Sequence, residues 1–576
     1  MIVSVFNIII RYTYLQVDGW FAKRFLFFCL HFFCFRIIYS LYKRKNRGAI
    51  MNRLKRFAAN AAILGGVSIF MRIISVTFGA YAANVVGAQG IGVYSLIMSA
   101  YVFAVTVANS GINLAVTRLV SEELGKGNTK TAIVAMRKCV EYSIIFGGIA
   151  AVGLFFLAEP VGTRLLGDSR TVVSLKALSV SLPFIALSNV LSGYFNAVRR
   201  VSKSAIASVT EQFVKIGFTV LLLKFFGTDS VESSCLALVL GMSISEGLSF
   251  LYLLIFYFID KRKHLKASES EYVPKGITAR MLHISIPIAA SAYLRSGLVT
   301  IEHILIPRGL RKFGQDQGQA LASYGTVHGM VLPLVLFPSA ISGAFSSLMI
   351  PELSELAAKY GKRDCTHIRY IVCRAISICL IFGIACAGAF LLFSDQLGML
   401  VYKSEEAGKY IGVFALLVPM MYLDTTVDGM LKGLNEQLSS MKYNIIDSAI
   451  SVFLVYTLLP VMGINGYIVC VFITELVNDV LSLCRLITVT GIKIPIYRTV
   501  IAPVISIIGA SAATNQVMRA ISTVFYSLAV ETVCGILIML VLYLNFLVIF
   551  RAVSRDDIVW FLSIFRRKSL NCVNKD

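Results

Sequence analysis

"SGYFNAVRR" at residues 192–200 and "DGMLKGLNE" at residues 428–436 are two versions of one helix end. Each has a glycine followed four residues later by a small residue (Gly193 with Ala197, Gly429 with Gly433) inside an apolar run, and each run stops at a polar break. The two lie 236 residues apart, and the same interval separates Pro183 from Pro419 and Glu211 from Asp447. A helix-bending residue, a helix-packing residue and an acid that recur together at one interval mark an internal duplication. Upstream, "LVSEELGKGN" and "ELSELAAKYGK" align at an offset of 233, and Tyr94 aligns with Tyr324 at 230, so small loop insertions account for the drift. Taken alone, the Gly-x-x-x-small spacing reads as ordinary close helix packing.

The repeat lies in a chain of unusual composition. Of 576 residues 57% are hydrophobic and 15% charged, and the mean hydropathy is +0.78, too apolar for a surface that must face water. The sequence therefore predicts an all-α polytopic membrane protein. About fourteen apolar runs of spanning length recur between residues 58 and 550. No period-2 alternation argues for strands. The 54 Lys+Arg against 31 Asp+Glu read as loop anchors and not as a nucleic-acid surface, because they interrupt apolar runs. The 12 cysteines and 6 histidines show no metal-ligand spacing, and nothing calls for a cofactor.

Six spans per repeat is an even number, so both repeats enter the membrane in the same sense, as parallel repeats do. The resulting plan is an N-lobe at residues 51–260, a linker at 261–280, a C-lobe at 281–490, two further helices at 491–550 and a basic tail at 551–576. The tail reads as a helix lying on the inner leaflet. Residues 1–50 hold 13 aromatics and precede a second methionine, Met51. They read either as an extension from a mis-assigned start or as an extra hydrophobic segment at 25–41, interrupted by Arg36.

Loop charges orient the chain. With Met51 cytoplasmic, roughly 32 Lys/Arg fall inside against roughly 9 outside, which places both Met51 and the C-terminus in the cytoplasm of a cell-membrane protein. One loop dissents: "PRGLRKFGQDQGQ" at 307–319 is basic yet faces outward. Its charges could gather anionic head groups, or could be incidental to the helix bend at Pro307.

The motifs "GAQGIGVYSLIMSAYVFAVTVANSGI", "GYFNAVRRVSKSAIASVTEQFVK", "ILIPRGL" and "DGMLKGLNEQ", in that order, resemble the stage V sporulation protein B and polysaccharide-exporter branch of the multidrug/oligosaccharidyl-lipid/polysaccharide (MOP) exporter superfamily. The similarity covers about residues 51–490, and two extra helices match the plan of lipid II flippases. The resemblance implies two six-helix lobes in a V around a central cavity, alternating access, and a polyprenyl-pyrophosphate-linked saccharide as cargo.

Charges inside the spans are the candidate site residues, because each costs a few kcal/mol unless it meets a cavity or a partner. Arg72 lies on a stripe of small and polar residues in the first span, and the resemblance implies that it meets the lipid pyrophosphate. Arg295 and Glu302 share a face two turns apart in the seventh span. Arg118, ending the second span, is as readily a loop anchor as a cavity cation. Glu211 with Lys215, and Asp428 with Lys432, follow the acid-before-base i,i+4 order of a structural pair. Asp424, a turn deeper than Asp428, and Glu211 are candidates for binding a coupling ion.

These features favour a flippase for cell-wall, spore-cortex or other polysaccharide precursors, with membrane lipids around it and glycosyltransferases or polymerases as functional neighbours. A drug or cation antiporter of the same superfamily is the alternative, disfavoured by an arginine in the first span. A membrane-embedded enzyme is a weaker third, since no extended polar loop with paired carboxylates and no P-loop is present. The chain reads as a transporter and not an enzyme.

Overall fold

The computed structural model describes residues 51–226, 230–264, 276–361, 366–521 and 527–553. The readings of residues 1–50 and of the tail helix lie outside these. The chain divides into a unit ending at Ile63, of which only the first turns of one helix are described, and a unit beginning at Leu64. All that follows concerns the second.

Every regular element among the described residues is helical. Helix α1 (Met51–Asn109) is broken at Gly87, whose φ of 79° and ψ of 167° lie outside helical space. Helices α2 (Ile112–Gly125) and α3 (Thr129–Pro160) follow, α3 running on through a π turn, Val161–Leu166. Next come α4 (Thr171–Ser179), α5 (Leu182–Ala197), α6 (Val201–Phe226) and α7 (Val231–His264). The second repeat opens with α8 (Ile277–Phe313) and α9 (Gln317–Tyr324), the latter passing into a π segment, Gly325–Val331. It continues through α10 (Leu332–Val335), α11 (Ser339–Tyr360), α12 (Thr366–Leu392) and α13 (Ser394–Leu397). It ends with α14 (Glu405–Ala415), α15 (Val418–Gly433), α16 (Gln437–Met462) and α17 (Ile464–Thr490). Helices α18 (Ala502–Ile521) and α19 (Leu528–Ile549) lie beyond the repeat and share a core with α12, where the Tyr543 hydroxyl donates to the Ile381 carbonyl at 3.0 Å.

Ten described helices are long and apolar enough to cross a bilayer, or thirteen when each of three bent pairs is counted as one span. The longest of the ten, Ile69–Gly125, holds the Gly87 break, where the sequence reading ends its first span. Large apolar side chains such as Phe156, Phe225 and Val461 are at least 74% exposed. In water such a surface would aggregate; against lipid it is the ordinary exterior.

The duplication is visible as repeated packing. Helices α4 and α5 meet at a 43° bend, and α14 and α15 meet at 57°. The cause is the same in both: Pro183 and Pro419 stand in the first turn after the bend, where a missing N–H and a fixed φ start a helix but cannot continue one. Behind each proline a glycine lets the backbones close. A β-carbon on Gly147 would lie 3.2 Å from Pro183 Cα, and one on Gly383 would lie 2.9 Å from Pro419 Cα. Further along, Gly193 sits against Asn113 and Val116 of α2, as Gly429 sits against Ser346 of α11. The twin helix ends therefore exist to let one helix approach its neighbour, which small residues permit where lipid supplies no hydrophobic drive for association.

Three of the buried cores map the shape. One is confined to the first repeat and the start of α8 (Ile112 to Met281), another to the second (Met349 to Ile492). Both lie toward the ends bearing the basic loops. The third joins both repeats, Ala82 to Val239 with Ile304 to Val471, toward the opposite face. Two cores that part on one face and merge on the other leave a space between the repeats.

Candidate functional site

That space is a cavity of about 650 Å³. Its walls come from the second part of α1, from α8 and the π segment, and from the ends of α15 and α16 at the basic face. Polarity changes along it. Near the basic face stand Arg295, Asp428, Lys432 and Ser440; at the far end stand Tyr94, Ser95, His303, Tyr324 and His328. Arg295 and His303 are eight residues apart on one helix, about 12 Å along its axis.

The far end is sealed by glycine contacts. Gly325 stands so close to α1 that a β-carbon would lie 2.6 Å from the Gly92 nitrogen and would also strike the Ala88 carbonyl. One on Gly92 would lie 2.8 Å from the Leu321 carbonyl carbon, and one on Gly329 would overlap Ile91. Helices come this near only where side chains are absent. Beyond the seal, Arg308 of α8 donates to the carbonyls of Arg164 (2.6 Å) and Leu165 (2.5 Å) at the end of α3. Gln317 donates to the Gly167 carbonyl at 3.1 Å, and the Arg311 guanidinium lies beside Gly167. These are unsatisfied carbonyls of a helix C-terminus, where a cation is favoured. Lys312 lies over the Tyr456 ring. The dissenting basic loop thus fastens the second repeat to the first. In the same loop of the first repeat, Arg170 is bidentate to the buried Asp168, and this hydrogen-bonded carboxylate holds the guanidinium above its ordinary pKa.

The sequence-derived candidates are distributed unevenly. Arg295 lines the cavity, with Asp424 and Asp447 in electrostatic reach. Arg72 is exposed and approaches Tyr422 of α15, but is not among the residues lining the cavity. Glu302 points into the second repeat toward Ser451 and Asp447 of α16. Arg118 is 64% exposed and pairs with Glu122 at 3.0 Å. Both Glu122 and Glu123 bind Arg280, at 2.8 and 2.9 Å, so this cluster ties α2 to the start of α8. Asp424 accepts from Asn478 Nδ2 at 2.9 Å, with Glu475 and Asp479 nearby. Glu211 faces Ser249 and Lys215. Among the described residues, no three His, Cys, Asp or Glu are gathered as for a metal ion.

Sequence reasoning passed over two features. Asp428 and Lys432 form the expected i,i+4 pair, at 2.5 Å, yet line the cavity. The histidines received no role, although the Tyr324 hydroxyl meets His303 Nδ1 at 2.9 Å and the two imidazole centroids lie 4.7 Å apart. The alignment of Tyr94 with Tyr324 was the available signal.

Comparison with known proteins accords with this geometry. Residues 57–357 match the family described as Polysaccharide biosynthesis protein, and residues 314–457 match MatE. The chain is 25% identical over 514 residues to Stage V sporulation protein B of Bacillus subtilis (strain 168), covering 87% of this chain and 97% of that one. It is 22% identical over 414 residues to Lipid II flippase MurJ of the same organism, covering 66% and 74%. Among solved structures, Lipid II flippase MurJ in an inward closed conformation superposes with a TM-score of 0.64 at 16% identity, over 86% of this chain and all of the other.

Proposed function

Because the chain belongs to the polysaccharide biosynthesis protein family, in the MOP exporter superfamily, we propose that it is a flippase. Its cargo is a polyprenyl-pyrophosphate-linked saccharide, moved across the cell membrane by alternating access. The observation that carries this reading is the cavity between the repeats, cationic through Arg295 near the basic face and closed at the other end by the Gly92–Gly325 seal. A pyrophosphate needs a cation that stays charged and grips oxygens in pairs, which arginine provides. Neutral hydroxyl and imidazole groups farther in suit a saccharide, whose recognition rests on hydrogen bonds. The basic face is cytoplasmic in this account, as are Met51 and the C-terminus, so the cavity loads from the inside.

Arg295 serves as the primary cargo cation, Lys432 stands at the mouth, and Arg72 approaches from the first repeat as the two lobes rock. Glu302, Asp424 and Glu211 form the lobe interiors and bear on coupling to an ion gradient; Arg118 serves the cytoplasmic clamp. Glycosyltransferases that make the cargo and polymerases that consume it are the functional neighbours. The test is reconstitution: vesicles holding the protein should move a lipid-linked saccharide from inner to outer leaflet, and Arg295→Ala should stop this.

The match of residues 314–457 to MatE favours a second reading, export of organic cations or drugs. Transport of a fluorescent organic cation that survives Arg295→Ala, with no movement of lipid-linked saccharide, would select it.

A further inference from the structure

The first repeat contains a buried carboxyl that the cavity does not use. Glu246 of α7 is 7% exposed, and its partners Tyr101 of α1 and Ser181, in the break between α4 and α5, are each 1% exposed. The Tyr101 hydroxyl oxygen lies 2.9 Å from Glu246 Oε2 and 2.5 Å from Ser181 Oγ. Ser181 Oγ in turn lies 2.8 Å from the Leu178 carbonyl oxygen. These three contacts are all of hydrogen-bonding length.

Counting hydrogens decides the state of the acid. Tyr101 and Ser181 own one hydroxyl hydrogen each, and the Leu178 carbonyl can only accept. An ionised Glu246 also only accepts, so one of the three contacts would press two oxygens together with no hydrogen between them. A carboxylic acid supplies the missing one: Glu246 donates to Tyr101, Tyr101 to Ser181 and Ser181 to Leu178. The surrounding charges do not replace that proton. From α6 come Glu211 and Lys215, which stand at i,i+4 to one another; α1 adds only the phenols Tyr101 and Tyr94. On α4, Lys176 lies over the Phe155 ring, and the one ionisable group of α5, Tyr194, is bound to Asp260.

Position argues for a function beyond holding the bend. Ser181 sits at the 43° junction, and the second repeat builds its own 57° junction with Leu417 in the corresponding place and Ser482 in place of Glu246, each 236 residues on. The bend is therefore made without this chain of hydrogen bonds. We infer that Glu246 is a proton-binding site, occupied in this conformation, and that its proton ties the α4–α5 hinge to α1 and α7. Loss of the proton to water removes the first donor, sets Tyr101 free to turn its hydrogen to the carboxylate and releases Ser181, so proton release accompanies hinge movement. The site lies apart from the cavity cations, and its occupancy does not depend on which cargo is carried.

Two cargo-independent measurements test this on the full chain in liposomes. Infrared difference spectra across a pH titration should contain a protonated-carboxyl C=O band that is lost in Glu246→Gln and displaced in Tyr101→Phe. Labelling of a cysteine at Val180, an exposed hinge position, should rise with pH in the wild-type background. That rise should be lost in Glu246→Gln, whose amide still donates to Tyr101. Absence of the band, a band unchanged by Glu246→Gln, or labelling whose pH dependence survives that substitution would overturn the inference. Glu211→Gln, which should leave the band in place, serves as the folded control.

Discussion

Gly325 meets Gly92 almost backbone to backbone, with room for no β-carbon between them. Because the two glycines belong to different repeats, this contact exists only while the end of the cavity away from the basic loops is closed. Overpacking a tight interface costs about 1–3 kcal/mol, and the cost falls on the closed state alone. Gly325→Ala or Gly92→Ala should therefore shift the population toward the open state by roughly five- to hundredfold. Faster external labelling of a cysteine placed at Ser95 would report it.

Arg308 acts on the same equilibrium by attraction. Its guanidinium supplies two hydrogen bonds to helix-end carbonyls of the other repeat, worth about 1–2 kcal/mol together where exposed. Arg308→Ala should raise external labelling of a cysteine at Gln317 several-fold without lowering protein abundance. If the loop only gathers anionic lipid, labelling will stay at the wild-type rate.

Gly193 and Gly429 should behave as structural twins. Leucine at either position would collide with Val116 or with Ser346, breaking helix contacts that do not change between conformations. Both variants should lose folded protein, read as lower thermal stability in detergent, and should not shift the labelling pattern at the seal.

The contrast between these predictions marks what the sequence could disclose. The duplication was legible because Pro183, Pro419 and the paired glycines answer to backbone geometry, which leaves residue types at fixed intervals. The facing of charges was not, since a helix apolar all round carries no phase that says which side meets the cavity. Arg295 and Arg72 both lie on polar stripes, yet only Arg295 lines the space between the repeats. Lys432 was hidden by its own ion pair, which looks like surface support. His328 was hidden by the π segment, where one extra residue per turn rotates all that follows out of the α-helical register.

Topology offers an independent check. Cysteines in "NVVGAQG" (84–90) and "VMGING" (461–466) should react with an impermeant reagent from outside, and those in "VRRVSK" (198–203) and "DKRKHLK" (260–266) only after permeabilisation. External reaction of the last two would invert the proposed orientation.

The central claim is that Arg295 carries a lipid pyrophosphate through the cavity. The most direct measurement is the rate at which a polyprenyl-pyrophosphate-linked saccharide, loaded on the cytoplasmic-side leaflet of proteoliposomes, becomes accessible to a hydrolase or lectin in the opposite compartment. The account predicts rapid exposure with the wild-type protein, loss to the protein-free background with Arg295→Ala, and partial recovery with Arg295→Lys, which keeps the charge but not the paired grip. Wild-type rates from the alanine variant, or no movement of the lipid by the wild-type protein, would contradict it.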